Sequence, residues 1–352
     1  MSEDCLKLIS YFGERHRNGR DLVGDGLLDL YAGSGIAASA LFRGTQGFGL
    51  RQHLRTDRSL TLSEDLPVLT IAVDTRPRIE AVLEQTLAMA PGLVTLEHAC
   101  LLDGDSRLVR GRAGWPEGEA KLTVYLSRRD QAWQIPAYEA VCDLLYRRCL
   151  AGATALLGVD GTTRGQRQRA RFLSRRDELP MMIVAVGSWD EIIGVLPDVT
   201  GLLRHPLLTL EPVRVCKRDG LFLAVPDRSP GREEHGMALW QKLTVYTSEA
   251  ALHEGQPVHR ILARRLLSAG ISGVTTLRGV WGFRGEHAPH GDNALRLGRH
   301  VPVVTTVIDA PDHIAAAFAI IDELTAERGL VTSETVPALR MTPGGGQPGE
   351  RC

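Results

Sequence analysis

The chain has 352 residues, of which 43% are hydrophobic and 24% are charged, and its formal net charge is −1. These values are ordinary for a globular protein with two or three domains, and they exclude a general electrostatic attraction to nucleic acid or to an anionic membrane. Because the first residues lack a signal-peptide pattern and no stretch approaches 18 consecutive apolar residues, the cytoplasm is the expected location.

Residues 1–102 predict strands and helices in the order βαββαβ. The spacing of Leu22, Leu27 and Leu30 indicates a first helix, and Pro77 is typical of the first turn of a second helix. In chain order, the predicted elements are a strand at 6–12, a helix within 19–35, a strand at 36–42, a polar loop at 43–65, a strand at 67–74, a helix at 76–89 and a strand at 92–98.

The same elements return twice along the chain. The first strand recurs as "AKLTVYL" (120–126) and "QKLTVYT" (241–247), and the lysine of each copy stands 37 residues before a glycine, which is Gly44, Gly158 or Gly279. The closing strand "GLVTLE" likewise recurs as "PLLTLE" and "GLVTSE". Landmarks at a nearly constant spacing indicate three tandem repeats, which should organise the whole fold.

Segments rich in Gly, Pro and charge separate the repeats, as is typical of linkers. Within the second linker, "LFLAV" (221–225) is predicted to add a short strand. The predicted organisation is unit 1 at 1–102, a linker at 103–119, unit 2 at 120–217, a linker at 218–240, unit 3 at 241–341 and a disordered tail at 342–352.

The order βαββαβ is that of the ferredoxin-like arrangement, an α+β fold with one antiparallel sheet and two helices on one face. The strands "PVLTIAV", "PMMIVAV" and "PVVTTVI" are apolar at adjacent positions, which favours sheets that are covered on both faces. We therefore expect the three sheets to meet around an approximate three-fold axis, giving a monomeric pseudo-trimer folded from one chain. The alternative is three independent domains joined like beads.

The landmarks K-L-T-x-Y, G-I-x-G-x-T-x-x-R-G-x-x-G-F, L-P-V and G-L-V-T resemble those of domain-of-unknown-function family 190, which is similar to the PII signal-transduction proteins. Unit 3 carries this pattern in 241–246, 270–283, 301–304 and 329–332, and unit 1 carries it almost as well. PII-like proteins are ferredoxin-like trimers that bind nucleotides or other small effectors between subunits, and a long loop between their second and third strands contacts a target. The resemblance implies a small anionic effector, with an adenine nucleotide as the candidate, and a membrane transporter or fluoride channel as the partner.

The turn "RGTQGFG" (43–49) and its copy "RGVWGF" (278–283) end the second strand and begin the long loop. Glycines there allow positive φ and amides that meet an anion, and the arginine offers a planar fork for phosphate or carboxylate. The alternative is a structural turn with a salt-bridged arginine, in which the phenylalanine anchors the loop instead of covering a base. The candidate ligand-binding residues are Arg43, Gly44, Gly47, Phe48, Gly49, Asp74, Arg278, Gly279, Gly282, Phe283 and Asp309.

Two further sets of charged residues recur between the units. Asp74 and Asp309 end the third strand, where an aspartate is most often a helix N-cap, and a ligand or an arginine of a neighbouring unit is the alternative partner. The lysines of the first strand alternate with apolar neighbours, and we expect them to be solvated or to reach the surface along apolar stems. These lysines are Lys7, Lys121 and Lys242.

Unit 2 departs from the pattern at the positions predicted to bind a ligand. Leu157 stands in place of the arginine, "GTT" (161–163) replaces the Gly-Phe-Gly segment, and Gly187 replaces the aspartate. If a site needs intact loops on both sides, only the boundary between units 3 and 1 provides them. We therefore expect one effector site at that boundary rather than three sites.

Three remaining features are weaker signals. Six arginines between 164 and 176 form a basic segment, which is either a solvated loop or a patch for phosphates, an acidic partner or RNA. His287, His290 and Asp292 gather in one loop of unit 3, but unit 1 offers only His53 nearby, and no metal site is assigned. Four cysteines in apolar segments are expected to be buried and reduced: Cys5, Cys100, Cys142 and Cys216.

No nucleophile with a base, paired carboxylate or metal motif repeats between units 1 and 3, and the chain is therefore not expected to be an enzyme. The favoured function is a regulatory protein that binds a small anionic effector between units and acts through its long loops on a partner protein. No nucleic acid is expected among its partners. The alternative is a ligand-independent structural adaptor for a membrane transporter.

Overall fold

The computed structural model describes residues 3–49, 52–57, 65–103, 118–163, 166–169, 179–204, 206–226, 235–285, 287–291 and 301–341. Within these ranges, the chain is an α+β protein with a large curled antiparallel sheet and six helices, arranged in three repeated units. None of the described helices is long and apolar enough to cross a membrane. The predicted disordered tail and most of the first linker lie outside the described residues.

Unit 1 contains four long strands and two helices, in the predicted order. Its first helix begins only at Val23, because a short hairpin, Arg17–Asn18 paired with Asp21–Leu22, occupies the start of the segment predicted to be helical. Pro77 lies in the first turn of the second helix, as predicted. The strands are Glu3–Gly13, Arg17–Asn18, Asp21–Leu22, Ala38–Arg43, Gln46–Phe48, Arg55–Thr56, Pro67–Thr75 and Gly92–Asp103, and the helices are Val23–Gly33 and Arg76–Met89.

Unit 2 repeats these elements despite its different loop sequence. Its second helix begins with a capping box, in which Ser188 accepts from the amide of Glu191 while the Glu191 side chain accepts from the amide of Ser188. The strands are Glu119–Ser127, Gln131–Ala132, Ile135–Pro136, Gly152–Leu157, Asp160–Thr163, Gln166–Arg169, Pro180–Ser188 and Leu207–Arg218, and the helices are Ala137–Arg147 and Trp189–Leu202.

Unit 3 follows a short strand, Leu221–Phe222, which confirms the first two residues of the strand predicted at 221–225 in the second linker. Its two helices are amphipathic, and their buried residues, among them Leu262 and Ile321, face the sheet. The strands of unit 3 are Ala238–Ser248, Leu252–His253, Gln256–Pro257, Gly273–Arg278, Trp281–Arg284, His287–Gly291, Pro302–Asp309 and Leu330–Met341, and its helices are Val258–Ser268 and Pro311–Leu324.

The four long strands have the same antiparallel order in every unit. We call them the first to fourth strands, and in unit 1 they are Glu3–Gly13, Ala38–Arg43, Pro67–Thr75 and Gly92–Asp103. The second strand pairs with the third, the third with the first, and the first with the fourth. The corresponding strands pair in the same way in unit 2 and in unit 3. Repeated landmarks in the sequence therefore correspond to repeated topology.

Each fourth strand also pairs with the fourth strands of both other units. Residues 100–103 of unit 1 pair with 207–210 of unit 2, and 214–218 of unit 2 pair with 330–333 of unit 3. Residues 338–341 of unit 3 pair in turn with 92–95 of unit 1. The three fourth strands therefore link the units cyclically, with one pairing at each boundary.

Apolar side chains pack on both faces of the large sheet, which explains the continuous apolar runs in the third strands. On one face, the helices of each unit cover a separate cluster, represented by Leu27 in unit 1, Leu145 in unit 2 and Leu262 in unit 3. On the other face, residues of all three units, such as Ile71 and Val184, form one common cluster. The four cysteines predicted to be buried thiols are buried and free, which confirms that prediction.

Candidate functional site

The motif predicted to bind a ligand lies at the boundaries between units. The segment after the second strand forms a short strand in each unit, here called the loop strand: Gln46–Phe48, Asp160–Thr163 and Trp281–Arg284. The loop strand of unit 1 pairs with the second strand of unit 3, that of unit 3 with the second strand of unit 2, and that of unit 2 with the second strand of unit 1. The motif therefore joins each unit to a neighbour through backbone hydrogen bonds.

One glycine of the loop strand is required by this pairing. A Cβ atom at Gly47, Gly161 or Gly282 would lie 2.3 Å from a backbone carbonyl oxygen of the neighbouring unit. This distance is far below van der Waals contact, so only glycine lets the two backbones approach. Unit 2 has lost much of the motif but keeps Gly161, since that position serves the boundary.

The phenylalanine of the motif anchors the loop strand in the neighbouring unit. Phe48 of unit 1 is 5% exposed and packs in the core of unit 3, beside Val274 and Ile271. Phe283 of unit 3 is buried in the core of unit 2. Its ring packs edge-on against the ring of Tyr146, with 5.4 Å between the two ring centres. Of the two interpretations of the phenylalanine, the structure shows an anchor.

The two arginines of the motif form ion pairs within their own units. Nη2 of Arg43 lies 2.9 Å from Oε2 of Glu14, and Nη2 of Arg278 lies 3.1 Å from Oε2 of Glu249. The amides of the following glycines, Gly44 and Gly279, donate to the carbonyls of the third-strand prolines at 2.7 Å. The structure therefore shows a turn in which each arginine is paired with a glutamate and each glycine amide is hydrogen-bonded to the third strand.

Arg43→Ala should change the free energy of unfolding by no more than about 1 kcal/mol, because the side chain of Arg43 is half exposed and surface ion pairs contribute little. Urea denaturation of this variant and the wild type measures the difference. A loss of several kcal/mol would show that the arginine holds the turn together.

The aspartates at the end of the third strand are buried and connect two elements of one unit. Asp74 accepts hydrogen bonds from the amides of Ala37 and Thr75. Asp309 accepts from the amide and hydroxyl of Ser272 and from the amide of Ala310. Each carboxylate thus ties the start of the second strand to the start of the second helix. The N-cap positions themselves are taken by Thr75 and Ala310, and Asp309 also lies 3.2 Å from Nδ1 of His313 in the first turn of its helix.

Two cavities lie at equivalent positions on two of the boundaries. The larger, of about 490 Å³, lies between units 2 and 3, and the smaller, of about 140 Å³, lies between units 1 and 3. Their walls are built from the same four positions of the repeat: the first strand, the loop strand with the residue beside it, the third-strand proline and the second strand of the neighbouring unit. In the larger cavity these are Tyr246, 282–284, Pro302 and 152–154, and in the smaller cavity they are Tyr11, 47–49, Pro67 and 273–275. Of the predicted ligand residues, only those of the loop strand and Gly49 line these cavities.

The larger cavity is lined by several basic side chains. Its wall includes two arginines and two histidines, which are Arg284, Arg328, His287 and His290. Burial lowers the pKa of Arg284, Asp219 counteracts this effect, and the positive charge of Arg328 lowers the pKa further. Two arginines close enough to repel each other, with histidines beside them, suit a cavity for an anion.

The smaller cavity also contains cations, but these have partners. Arg55 lies 2.8 Å from a carboxylate oxygen of Asp65, and the guanidinium of Arg340 lies 4.9 Å from the centre of the Trp240 ring. This boundary between units 3 and 1 is the one predicted to hold the effector site. The larger and less neutralised cavity, however, lies between units 3 and 2.

The lysines of the first strand are buried, and the prediction that they are solvated is wrong. Lys7, Lys121 and Lys242 are 4–6% exposed and face the glutamates of the closing strands, which are Glu97, Glu211 and Glu334. Lys7 pairs with Glu211, Lys121 with Glu334 at 2.5 Å, and Lys242 with Glu97 at 2.6 Å. Each of these pairs joins two units, so that three buried ion pairs, one per boundary, lie where the units meet.

These charges stabilise each other in their ionised forms. Burial raises the pKa of Glu211, but Lys121, Lys7 and Lys242 outweigh it and lower the pKa to about 2. Burial lowers the pKa of Lys121, but the glutamates outweigh it and raise the pKa well above its usual value. The three glutamates come close enough to hold a metal ion, with ligand atoms within 4.8 Å of one another, but the lysines already neutralise them.

The remaining predicted features are only partly described. Of the basic segment, Gln166–Arg169 is a strand that pairs with Asp160–Thr163, whereas residues 164–165 and 170–178 lie outside the described residues. His287 and His290 lie on one strand of unit 3, whereas Asp292 lies outside the described residues.

The comparison with known families agrees with the internal repeats. The model of the DUF190 family, described as an "Uncharacterized ACR", matches the chain three times, over residues 5–100, 119–215 and 240–338. Each match covers one of the three repeated units, including unit 2, whose loop departs from the pattern.

Proposed function

Because this chain belongs to the DUF190 family and carries three tandem copies of its domain, we propose that it is a PII-like regulatory protein. In this proposal, the three units are ferredoxin-like domains that form a pseudo-trimer, and a small anionic effector binds in a cleft between units. An adenine nucleotide is the candidate effector. The long loops between the second and third strands then act on a partner protein, for which a membrane transporter or fluoride channel is the candidate.

The observation that carries this proposal is the basic cavity between units 2 and 3. Its volume of about 490 Å³ lies within the range of small-molecule sites, and its wall combines apolar side chains with a few polar groups. The cavity is built at the same boundary position as a second cavity between units 1 and 3. Such recurrence supports a ligand cleft that belongs to the repeat architecture.

The loops provide a physical route from the cleft to a partner. Gly282, Phe283 and Arg284 of the loop strand line the larger cavity, and the strand His287–Gly291 that pairs with this strand lines it as well. A ligand in the cavity would therefore contact the base of the long loop of unit 3 directly. Occupancy of the cavity and conformation of that loop are coupled if the ligand favours one loop arrangement.

A thermal-shift screen with ATP, ADP, AMP, cyclic nucleotides and bicarbonate tests this proposal. A ligand at 100 times its dissociation constant stabilises the folded state by about 2.7 kcal/mol, which corresponds to a rise of about 4 °C in the melting temperature of a chain of this length. We expect at least one of these compounds to produce such a rise.

The alternative function, a structural adaptor that grips a membrane transporter without a ligand, predicts no rise with any compound. A suitable control is Arg265→Ala, which removes an exposed ion pair with Glu323 on a helix and leaves both cavities unchanged. The ligand-induced rise should persist in this variant.

A further inference from the structure

The larger cavity contains a partly buried cation whose hydrogen bonds are incomplete. The side chain of Arg284 is 16% exposed, and its Nη1 atom is buried without a hydrogen-bond partner among the residues that the structure describes. The carboxylate that faces it belongs to Asp219, with 3.6 Å between Nε and Oδ1, which is longer than a hydrogen bond. A buried guanidinium donor without an acceptor is costly, and a ligand oxygen would satisfy it.

A second unsatisfied group lines the same cavity. Thr247 is 6% exposed, and its Oγ1 atom has no hydrogen-bond partner in the described part of the chain. The hydroxyl is available to donate to an anionic oxygen in the cavity. Arg284 and Thr247 therefore offer unmet hydrogen-bonding groups from the loop strand and the first strand of unit 3.

These polar groups are specific to one boundary. At the equivalent positions of the smaller cavity, Gly49 stands in place of Arg284, Phe12 in place of Thr247 and Pro91 in place of Arg328. The two cavities share their backbone framework but differ in the side chains that could hold a charge. Of these two cavities, the one between units 2 and 3 combines unmet donors with excess positive charge among the described residues.

Resting on the proposed function, we propose that the cavity between units 2 and 3 takes ligands that carry a phosphate group, with Arg284 as the main donor to that group. In the same proposal, Asp219 is an internal competitor that faces the guanidinium when no phosphate is bound. The planar fork of arginine suits two oxygens of a phosphate, and the hydroxyl of Thr247 supplies a further donor.

The position of Asp219 fits the role of a displaceable partner. It lies in the turn between the fourth strand of unit 2 and Leu221–Phe222, its side chain is 46% exposed, and its φ of 47° lies in the left-handed region. A half-exposed carboxylate at 3.6 Å interacts weakly with its partner, so the more highly charged phosphate can replace it.

Titration calorimetry at low ionic strength with AMP, inorganic pyrophosphate and adenosine tests the proposal. The wild type should bind AMP and pyrophosphate but not adenosine, which lacks the phosphate. Arg284→Ala should weaken AMP binding by about 10- to 100-fold, which is the usual cost of losing a hydrogen bond to a charged group. Asp219→Asn should strengthen AMP binding by about threefold, since asparagine tolerates the same backbone conformation but carries no charge.

Two controls and three contrary outcomes define the test. Arg340→Ala in the smaller cavity and Arg265→Ala on the surface should leave AMP binding unchanged.

Binding of AMP that is insensitive to Arg284→Ala, or equal binding of adenosine and AMP, would overturn this inference and leave the proposed effector function standing. Absence of AMP and pyrophosphate binding in both the wild type and Asp219→Asn would also overturn it, whereas a thermal response to bicarbonate alone would still support an anion sensor. If Arg284→Ala does not fold, Arg284→Lys keeps the charge but loses the fork, and it should still weaken binding.

Discussion

Glu211→Gln is expected to lower the free energy of unfolding by about 3–5 kcal/mol, the typical cost of removing one partner from a buried ion pair. Glu211 is 2% exposed and lies against both Lys7 and Lys121. Glutamine has nearly the same shape, so the substitution removes the charge and leaves these two buried lysines without a counter-charge at that position. Urea denaturation monitored by circular dichroism measures the loss.

The pH dependence of stability provides an independent test of the same network. The pKa of Glu211 is lowered from 4.5 to about 2 in the folded protein. A carboxylate with a lowered folded pKa contributes its full stability above the unfolded pKa and loses it as the pH falls through the folded pKa. The wild type should therefore lose stability between pH 4.5 and pH 2, and the difference from Glu211→Gln should narrow over that interval.

A matched control distinguishes burial from charge alone. Glu323→Gln removes a carboxylate from an exposed pair with Arg265, and it should leave the unfolding curve unchanged within error at neutral pH. If Glu211→Gln unfolds at the same urea concentration as the wild type, the buried pairs do not stabilise the contact between units.

Gly47→Ala is expected to destabilise the protein by about 3 kcal/mol, because the added methyl group has no room at the boundary between units 1 and 3. Its Cβ atom would lie 2.3 Å from the carbonyl oxygen of Val274, which belongs to a paired strand and cannot move without breaking that pairing. The loop strand would have to separate from unit 3, and Phe48 would be withdrawn from the core of that unit. Thermal and urea unfolding report the change.

Gly194→Ala is the matched control for this substitution. Gly194 lies in the helix Trp189–Leu202, and a Cβ atom there would meet nothing within 4 Å. Alanine should stabilise this position by about 0.5–1 kcal/mol, since it restricts the unfolded chain and suits a helix. Equal stability of Gly47→Ala and Gly194→Ala would contradict the close approach of the two units.

The repeats and the order of the elements could be predicted from the sequence, because a regular spacing of landmarks reflects a regular succession of strands and helices. The location of the lysines could not be predicted from alternation alone. A lysine between apolar neighbours shows the same pattern whether it faces water or the buried region that the three units share. The signal that identifies the network is the retention of Lys121 and Glu211 in unit 2, which has lost the arginine and the aspartate of the motif.

The residues that line the larger cavity were harder to predict from the repeats in the sequence. The positions that recur between the units include Gly47 and Gly282, which serve the boundary. Arg284 and Arg328 distinguish one boundary from the others, and residues that do not recur cannot be found by their recurrence. Only the pairing of the loop strands shows which side chains of different units face one cavity.

The residue types at the boundaries differ from unit to unit, since the position of Phe48 and Phe283 is occupied by Thr162 in unit 2. Three identical chains would present every cleft in triplicate, and a mutation in one cleft would appear in all of them. In a fused chain, each cleft can diverge independently of the other two. A molecule with one receptive cleft also saturates along a hyperbola, without the cooperativity that coupled identical clefts allow.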